Sequence, residues 1–354
     1  MNYHLIPDEK FTDKVIEFLS NNYANNYFII YNEGKKFYKG NYSNALKVNN
    51  VFDKEKEILD RLNKANRIFL HGFGAEQIIL FFNKHINLMR KSVVIIWGGD
   101  LYNDHIFLEK HHKLCLRLRI WMLMKKRIVS KAPYFMTFTC SDYGKAKEWF
   151  GANGQQFDCL YPSNLDKKML ETIKEVPDKE IINILVGNSA AETNNHIEAL
   201  RLIKKYSTND IKVFCPLSYG GNSDYINKVI SIGKAMFGNK FIPLMDYMSI
   251  EDYSKFLANI DVALLIFDRQ QATANLEILA YYGAKIYLKS TCALWEHYVK
   301  RDACAFFDVK EIDKCDFMEF YNISDYDKKI NKKYFEKIWD ENYLCKLWNA
   351  VLYL

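Results

Sequence analysis

Short apolar runs recur through the first half of the chain, separated by longer amphipathic stretches. "YFII" (27 to 30), "RIFLHG" (67 to 72), "VVIIWGG" (93 to 99), "YFMTFTC" (134 to 140) and "FDCLYP" (157 to 162) are short, rich in β-branched and aromatic residues, and predict buried strands. Between them, "AEQIILFFNKHINLM" from Ala75 repeats its apolar positions with a helical period. "SDYGKAKEWFG" reads as a helix with Ser141 as N-cap and Gly151 as stop. Strand followed by helix, repeated, predicts a parallel sheet, because parallel neighbours need a crossover and a helix is the usual one.

The pattern lapses from Pro162 to Glu180, a polar stretch bracketed by prolines that predicts an interdomain linker. It then resumes. "IINILVGNSA", "IKVFCPLSYGG", "KFIPLMDYMS", "DVALLIFDRQ" and "AKIYLKS" read as strands and the loops after them, alternating with helical segments such as "NNHIEALRLIKKY" and "ANLEILAYYG". The expected class is α/β with two parallel sheets: one domain over 1–165, a second over 181–324, and a helical tail over 325–354 carrying Trp339 and Trp348.

Composition narrows the function. A length of 354 residues suits two cores, and 49% apolar with 26% charged residues excludes a disordered or fibrous protein. The net charge of +6 falls short of a dedicated nucleic-acid binder. Eight cysteines without a CxxC pair read as reduced thiols, and the absence of a signal sequence or of 18 uninterrupted apolar residues predicts a cytoplasmic chain. No GxxxxGK[ST] appears, and His105, His111 and His112 lack the HExxH spacing of a zinc site.

The positive charge is uneven. Lys110, Lys113, Arg117, Arg119, Lys125, Lys126, Arg127 and Lys131 stand against Glu109 alone, interleaved with Leu114, Leu116, Leu118, Trp121 and Met122. That segment is either a solvated helix face or, through Lys125, Lys126 and Arg127, a contact with an anionic membrane surface.

In open parallel sheets ligands bind beyond the carboxyl ends of the strands, where loops diverge and helix N-termini present free amides. Four loops there are chemically unusual. "GNSAAETNN" (187 to 195) offers a flexible glycine and several donors suited to a diphosphate, or is an ordinary capped loop. "FDRQQATAN" carries Arg269, either able to pair bidentately with phosphate or a surface cation, together with Gln270 and Gln271, and Glu277 follows on the next helix, where a carboxylate can hold a ribose or simply face solvent. "HGFGAEQ" has Gln77 in place of a third fingerprint glycine, which weakens a dinucleotide reading, while His71 ends its strand. In "WGGD" the glycines let backbone approach a ligand, so Asp100 is either a general base or a turn aspartate capping the next helix.

Together "IWGGDLY", "ILVGNSA" with "TNNHIEAL", "YGGNSDYI", "FDRQQ" and "ALWEH" resemble, in order and spacing, the TDP-N-acetylfucosamine:lipid II N-acetylfucosaminyltransferase family, also described as the 4-alpha-L-fucosyltransferase family. The resemblance spans roughly residues 1 to 300. It implies a GT-B fold, two Rossmann-like domains with parallel sheets facing a cleft, and transfer of N-acetylfucosamine or a related deoxyamino sugar from a TDP-sugar to an undecaprenyl-diphosphate-linked saccharide, in surface polysaccharide synthesis. The enzyme would lie peripherally on the cytoplasmic face of the inner membrane and need neither cofactor nor metal. Carried onto this chain, the resemblance assigns Gly187, Asn188, Ser189, Asn195, His196, Arg269, Gln270 and Gln271 to the donor. Asp100 falls on the acceptor side with Trp97, Gly98, Gly99 and Tyr102, and His71 is a second candidate base. Ala272 to Asn275 stand where a glycine-containing loop is expected. A UDP-sugar transferase and a non-catalytic nucleotide- or glycan-binding protein remain alternatives.

Overall fold

The computed structural model describes residues 1–32, 34, 37–111, 116–162, 167–173 and 180–354, with side chains at 109–111 and 167–169 left aside. His112, Lys113, Leu114, Cys115 and most of the expected linker lie outside the described residues, as do the side chains of Glu109, Lys110 and His111.

The chain forms two compact units, Met1–Asn164 with Trp339–Leu354, and Leu165–Ile338. In the first, strands β1 (Asn2–Pro7), β2 (Asn26–Tyr31), β3 (Ala45–Val48), β4 (Arg67–His71), β5 (Ser92–Ile96), β6 (Tyr134–Thr137) and β7 (Gln155–Asp158) form one sheet in the order β3-β2-β1-β4-β5-β6-β7. Every neighbouring pair is parallel. The strands read as continuous apolar runs because both faces are covered, so each alternate side chain needs its own core. Val94 and Ile96 enter one buried cluster with Ile29 and Leu70, whereas Val93 and Ile95 enter the opposite one with Phe28, Phe69 and Met136.

The second unit repeats the plan with β8 (Ile182–Val186), β9 (Ile211–Pro216), β10 (Phe241–Leu244), β11 (Val262–Leu265), β12 (Lys285–Leu288) and β13 (Phe307–Asp308), ordered β10-β9-β8-β11-β12-β13 and again parallel. In each sheet the strand order reverses once, beside the first strand of the unit, and that point is where an open α/β sheet admits a ligand.

Three expectations change. β1 and β3 do not appear among the predicted strands, because "NYHLIP" carries Asn2 and a buried His4 and "ALKV" is an edge strand with an exposed Lys47. The helix Cys140–Phe150 is preceded by Thr139 rather than capped by Ser141, although Gly151 does end it, at φ +69. The tail is a pair of helices, and they divide between the two units. Asp325–Ile338 belongs to the second unit, while Glu341–Leu352 covers the first sheet, with Trp348 wholly buried and its indole N–H donating to the Leu160 carbonyl at 3.0 Å. Among the described residues all cysteines are free, with Cys159, Cys215, Cys292 and Cys304 buried.

Candidate functional site

In the first unit the loops after β4 and β5 are built as a pair. Gly72, at φ +84, is required twice over, because a Cβ there would also stand 3.2 Å from the Trp97 ring; a Cβ on Gly74 would stand 3.2 Å from Cβ of Asp100. The "HGFG" glycines therefore make room for "WGGD" rather than for a dinucleotide. Gly98, at φ +89, turns the chain so that its carbonyl accepts the amides of Leu101 and Tyr102 and starts the helix Gly99–His111.

Asp100, in the first turn of that helix, folds its half-buried carboxylate back to accept the amides of Trp97 (3.0 Å) and, from the neighbouring loop, Phe73 (3.1 Å). Burial lifts its pKa to about 6, against the opposing pull of the Lys125 ammonium and those amides. The same group is thus a loop clamp and a carboxylate with raised basicity.

Lys125 is buried. Its ammonium donates to the Asp100 carbonyl and to Oδ2 of Asp104, each at 2.5 Å, and lies over the rings of Phe73 and Phe150. It cannot touch a membrane, and that assignment is corrected; Lys126 and Arg127 are exposed. Tyr102 also turns inward, its hydroxyl donating to buried Asp142 at 2.8 Å and its ring edge-on to Trp149, so it is not an acceptor contact.

His71 is not an available base either. Wholly buried, it uses both ring nitrogens, Nε2 with Nδ1 of His4 (3.0 Å) and Nδ1 with the Tyr161 hydroxyl (2.5 Å), and burial together with His4 holds its pKa well below the usual histidine range. His4 in turn meets Oδ1 of Asn26 at 3.1 Å, and the indole N–H of Trp97 donates to Tyr161 at 3.0 Å. Since indole only donates and the amide oxygen only accepts, every proton in the row is fixed: Trp97 to Tyr161 to His71 to His4 to Asn26. Sequence reasoning missed His4, Tyr161 and Asn26; an apolar strand interrupted by histidine was the available signal.

In the second unit β8 and β11 are neighbours at the reversal point, and the loops after them are laced together. The Asp268 amide donates to the Thr193 carbonyl (3.1 Å), and the Asn195 side chain donates to the Ile266 carbonyl (3.0 Å) and to Asp268 (2.6 Å). Gln271 accepts from the Thr193 hydroxyl (2.9 Å) and donates to Asn188 (3.2 Å). The two loops singled out separately in the sequence are therefore one structure.

Most of the expected amide donors of the first loop are already engaged. The Asn188 amide donates to Asn194 and that of Ala190 to the Tyr219 carbonyl, so the expectation that Asn188 and the amides after Ser189 hold a diphosphate is corrected at those two positions. Ser189, nearly buried, accepts from Asn194 at 3.2 Å. His196 is wholly buried beneath Gly187, its Nδ1 3.1 Å from the Tyr225 hydroxyl, and burial lowers its pKa to about 4. It supports the loop as a neutral ring. Gln270 is also nearly buried, and Glu277 is half-buried on the helix Thr273–Tyr281, where its charge helps raise the pKa of Tyr298. Ala272, which precedes that helix, takes φ +57, the left-handed conformation that the expected glycine would adopt without strain.

Arg269 differs from all of these. Its guanidinium is half-buried, burial lowers its pKa, and it forms no hydrogen bond or ion pair among the described residues.

Residues 8–350 match the model of the 4-alpha-L-fucosyltransferase family, glycosyl transferase group 56. The chain belongs to that family. As a member of group 56 it is a glycosyltransferase, taking a nucleotide-sugar donor and a glycan acceptor. Solved structures agree on the fold. A glycosyltransferase from Rickettsia africae is 12% identical, covering 99% of this chain and 98% of its own, with a TM-score of 0.64. Anabaena HepE, in complex with UDP, is 7% identical over 100% of both chains with a TM-score of 0.67. WaaG, a glycosyltransferase of lipopolysaccharide biosynthesis, is 12% identical over 98% of this chain and 95% of its own, with a TM-score of 0.57. The group 56 chain thus has the GT-B architecture of two parallel-sheet α/β domains.

Proposed function

We propose that this group 56 glycosyltransferase moves N-acetylfucosamine or a related deoxyamino sugar from a TDP-sugar to a saccharide carried on undecaprenyl diphosphate, working peripherally at the cytoplasmic face of the inner membrane. The observation that carries the donor half is Arg269. A guanidinium partly withdrawn from water and without a protein counter-ion among the described residues suits an anionic ligand, and a diphosphate is the anion whose paired oxygens fit it. Its position at the carboxyl end of β11, beside the N-terminus of Thr273–Tyr281, supplies a favourable dipole as well.

In this reading the attacking hydroxyl of the acceptor forms a bond to the anomeric carbon as the bond to the diphosphate oxygen breaks. Arg269 stabilises the negative charge that accumulates on departing TDP. If the transfer inverts the anomeric centre, the proton of the hydroxyl passes to the Asp100 carboxylate, whose burial makes it a better base than an ordinary aspartate. Gly187, Asn188, Ser189, Asn195, His196, Gln270, Gln271 and Glu277 shape and support the donor loop pair. Trp97, Gly98 and Gly99 form the acceptor-side turn around Asp100.

Titration calorimetry tests the donor half. Arg269→Ala is expected to weaken TDP binding by tenfold or more, since a charge-assisted bidentate pair is lost; an unchanged affinity removes Arg269 from the phosphate site. Tighter binding of UDP, GDP or CMP than of TDP replaces the nucleotide in the proposal.

A further inference from the structure

The helix Leu116–Val129 contains no acidic residue, and one side of it is fully accounted for. Ile128 and Val129 are buried, Trp121, Met122 and Met124 pack on the first core, and Lys125 is the buried ammonium bound to Asp104. The opposite side is unlike an ordinary solvated helix face. Leu116, Ile120 and Leu123 are 72%, 49% and 65% exposed. At 3.6 residues per turn, positions i, i+4 and i+7 fall within an arc of about 60°, so these three side chains form one row along the helix. Single exposed leucines are normal on a protein surface, but an aligned row is a patch with a use.

The cations are arranged around that row. The helical spacing places Arg127 at its end, Arg119 and Lys126 along one border and Arg117 along the other, all of them exposed. Apolar tips flanked by long basic side chains suit a helix lying in the plane of a bilayer. Leucine and isoleucine enter the acyl boundary while lysine and arginine lay their stems beside them and bring their charged ends to lipid phosphate. A helix of 14 residues is only about 21 Å long, and no helix among the described residues is long and apolar enough to cross a membrane, so the contact is with a surface.

Charge decides between occupants. A protein partner would match an apolar row, but the centres of protein interfaces are depleted of lysine, whereas a cation-bordered row without an acid complements an anionic surface. We infer that the face bearing Leu116, Ile120, Leu123, Arg119, Lys126 and Arg127 docks this enzyme on an anionic phospholipid bilayer. The inference gives a surface to the peripheral location proposed above and rests on that reading only for the reason such docking is useful: the acceptor's undecaprenyl chain is held in the membrane.

Vesicle flotation of the full chain tests it. With vesicles of phosphatidylglycerol and phosphatidylcholine the unaltered protein floats, with phosphatidylcholine alone it does not, and added salt releases it. Reversing three charges (Arg119→Glu, Lys126→Glu, Arg127→Glu) lowers binding at least a hundredfold, at roughly fivefold or more per residue. Replacing the row (Leu116→Ser, Ile120→Ser, Leu123→Ser) lowers it by a similar factor while leaving the melting temperature and transfer to a water-soluble acceptor analogue unchanged. Equal flotation on zwitterionic vesicles, or either variant floating like the unaltered protein, overturns the inference. If the protein floats as described but transfers from no TDP-sugar, the donor reading fails and the docking surface stands; transfer without flotation is the reverse outcome.

Discussion

Asp100 joins two duties in one carboxylate. Its oxygens clamp the amides of Trp97 and Phe73, and the burial that this clamping requires lifts its pKa to about 6. Asp100→Asn keeps an acceptor for one amide but cannot take a proton, so turnover is expected to fall about a hundredfold with TDP affinity unchanged; full activity in a coupled TDP-release assay would retire the base. The sign of the pH dependence follows. The ionised form is lost as pH drops through about 6, so kcat/KM falls on the acid side with a midpoint there. Lys125, which opposes that rise, is the control: Lys125→Met removes a favourable charge, and the acid limb should move to higher pH, with a loss of stability of about 3 kcal/mol from the broken buried pair with Asp104. A limb that stays in place separates Asp100 from the rate.

At the scale of elements, the laced loops after β8 and β11 depend on Gly187. It adopts φ +72, and a Cβ there would lie 2.8 Å from Nε2 of His196 and 2.9 Å from Oδ1 of Asn194. Gly187→Ala is therefore expected to cost about 1–3 kcal/mol and to weaken TDP binding through displacement of Asn188 and Gln271, measured by thermal denaturation and calorimetry together; unimpaired TDP binding in the folded variant would show that the loop does not shape the donor site. Both loops were visible in the sequence, since glycine and amide residues cluster directly after apolar strands there. Their lacing was not, because hydrogen bonds between residues some 80 positions apart leave no local pattern. The buried strands β4, β5 and β8 were legible from uniform apolarity. β1 was not, because His4 breaks its run and is tolerated only through partners that β2 and β4 provide. Lys125 was misread for the same reason: a lysine in a basic stretch looks solvated until Asp104 and the Asp100 carbonyl are seen beneath it.

At the scale of the whole molecule, the sheet of the first unit is completed by the far end of the chain. Trp348 packs with His4, Phe69 and His71 under the helix Glu341–Leu352, so Trp348→Ala is expected to destabilise that unit by about 3–5 kcal/mol. Hydrogen exchange locates the effect: amides of β1 and β4 should exchange faster while those of β8 and β11 keep their protection, and uniform acceleration would mean that the units unfold together. This arrangement also sets an order of assembly. The ribosome delivers the closing helix only after the entire second unit has emerged, roughly ten to forty seconds after residue 164 at ordinary elongation speeds. Throughout that interval the helix Thr12–Asn22 covers only part of that face of the nascent parallel sheet, and a chain stalled or clipped before Glu341 presents the patch that Trp348 would fill to chaperones and proteases.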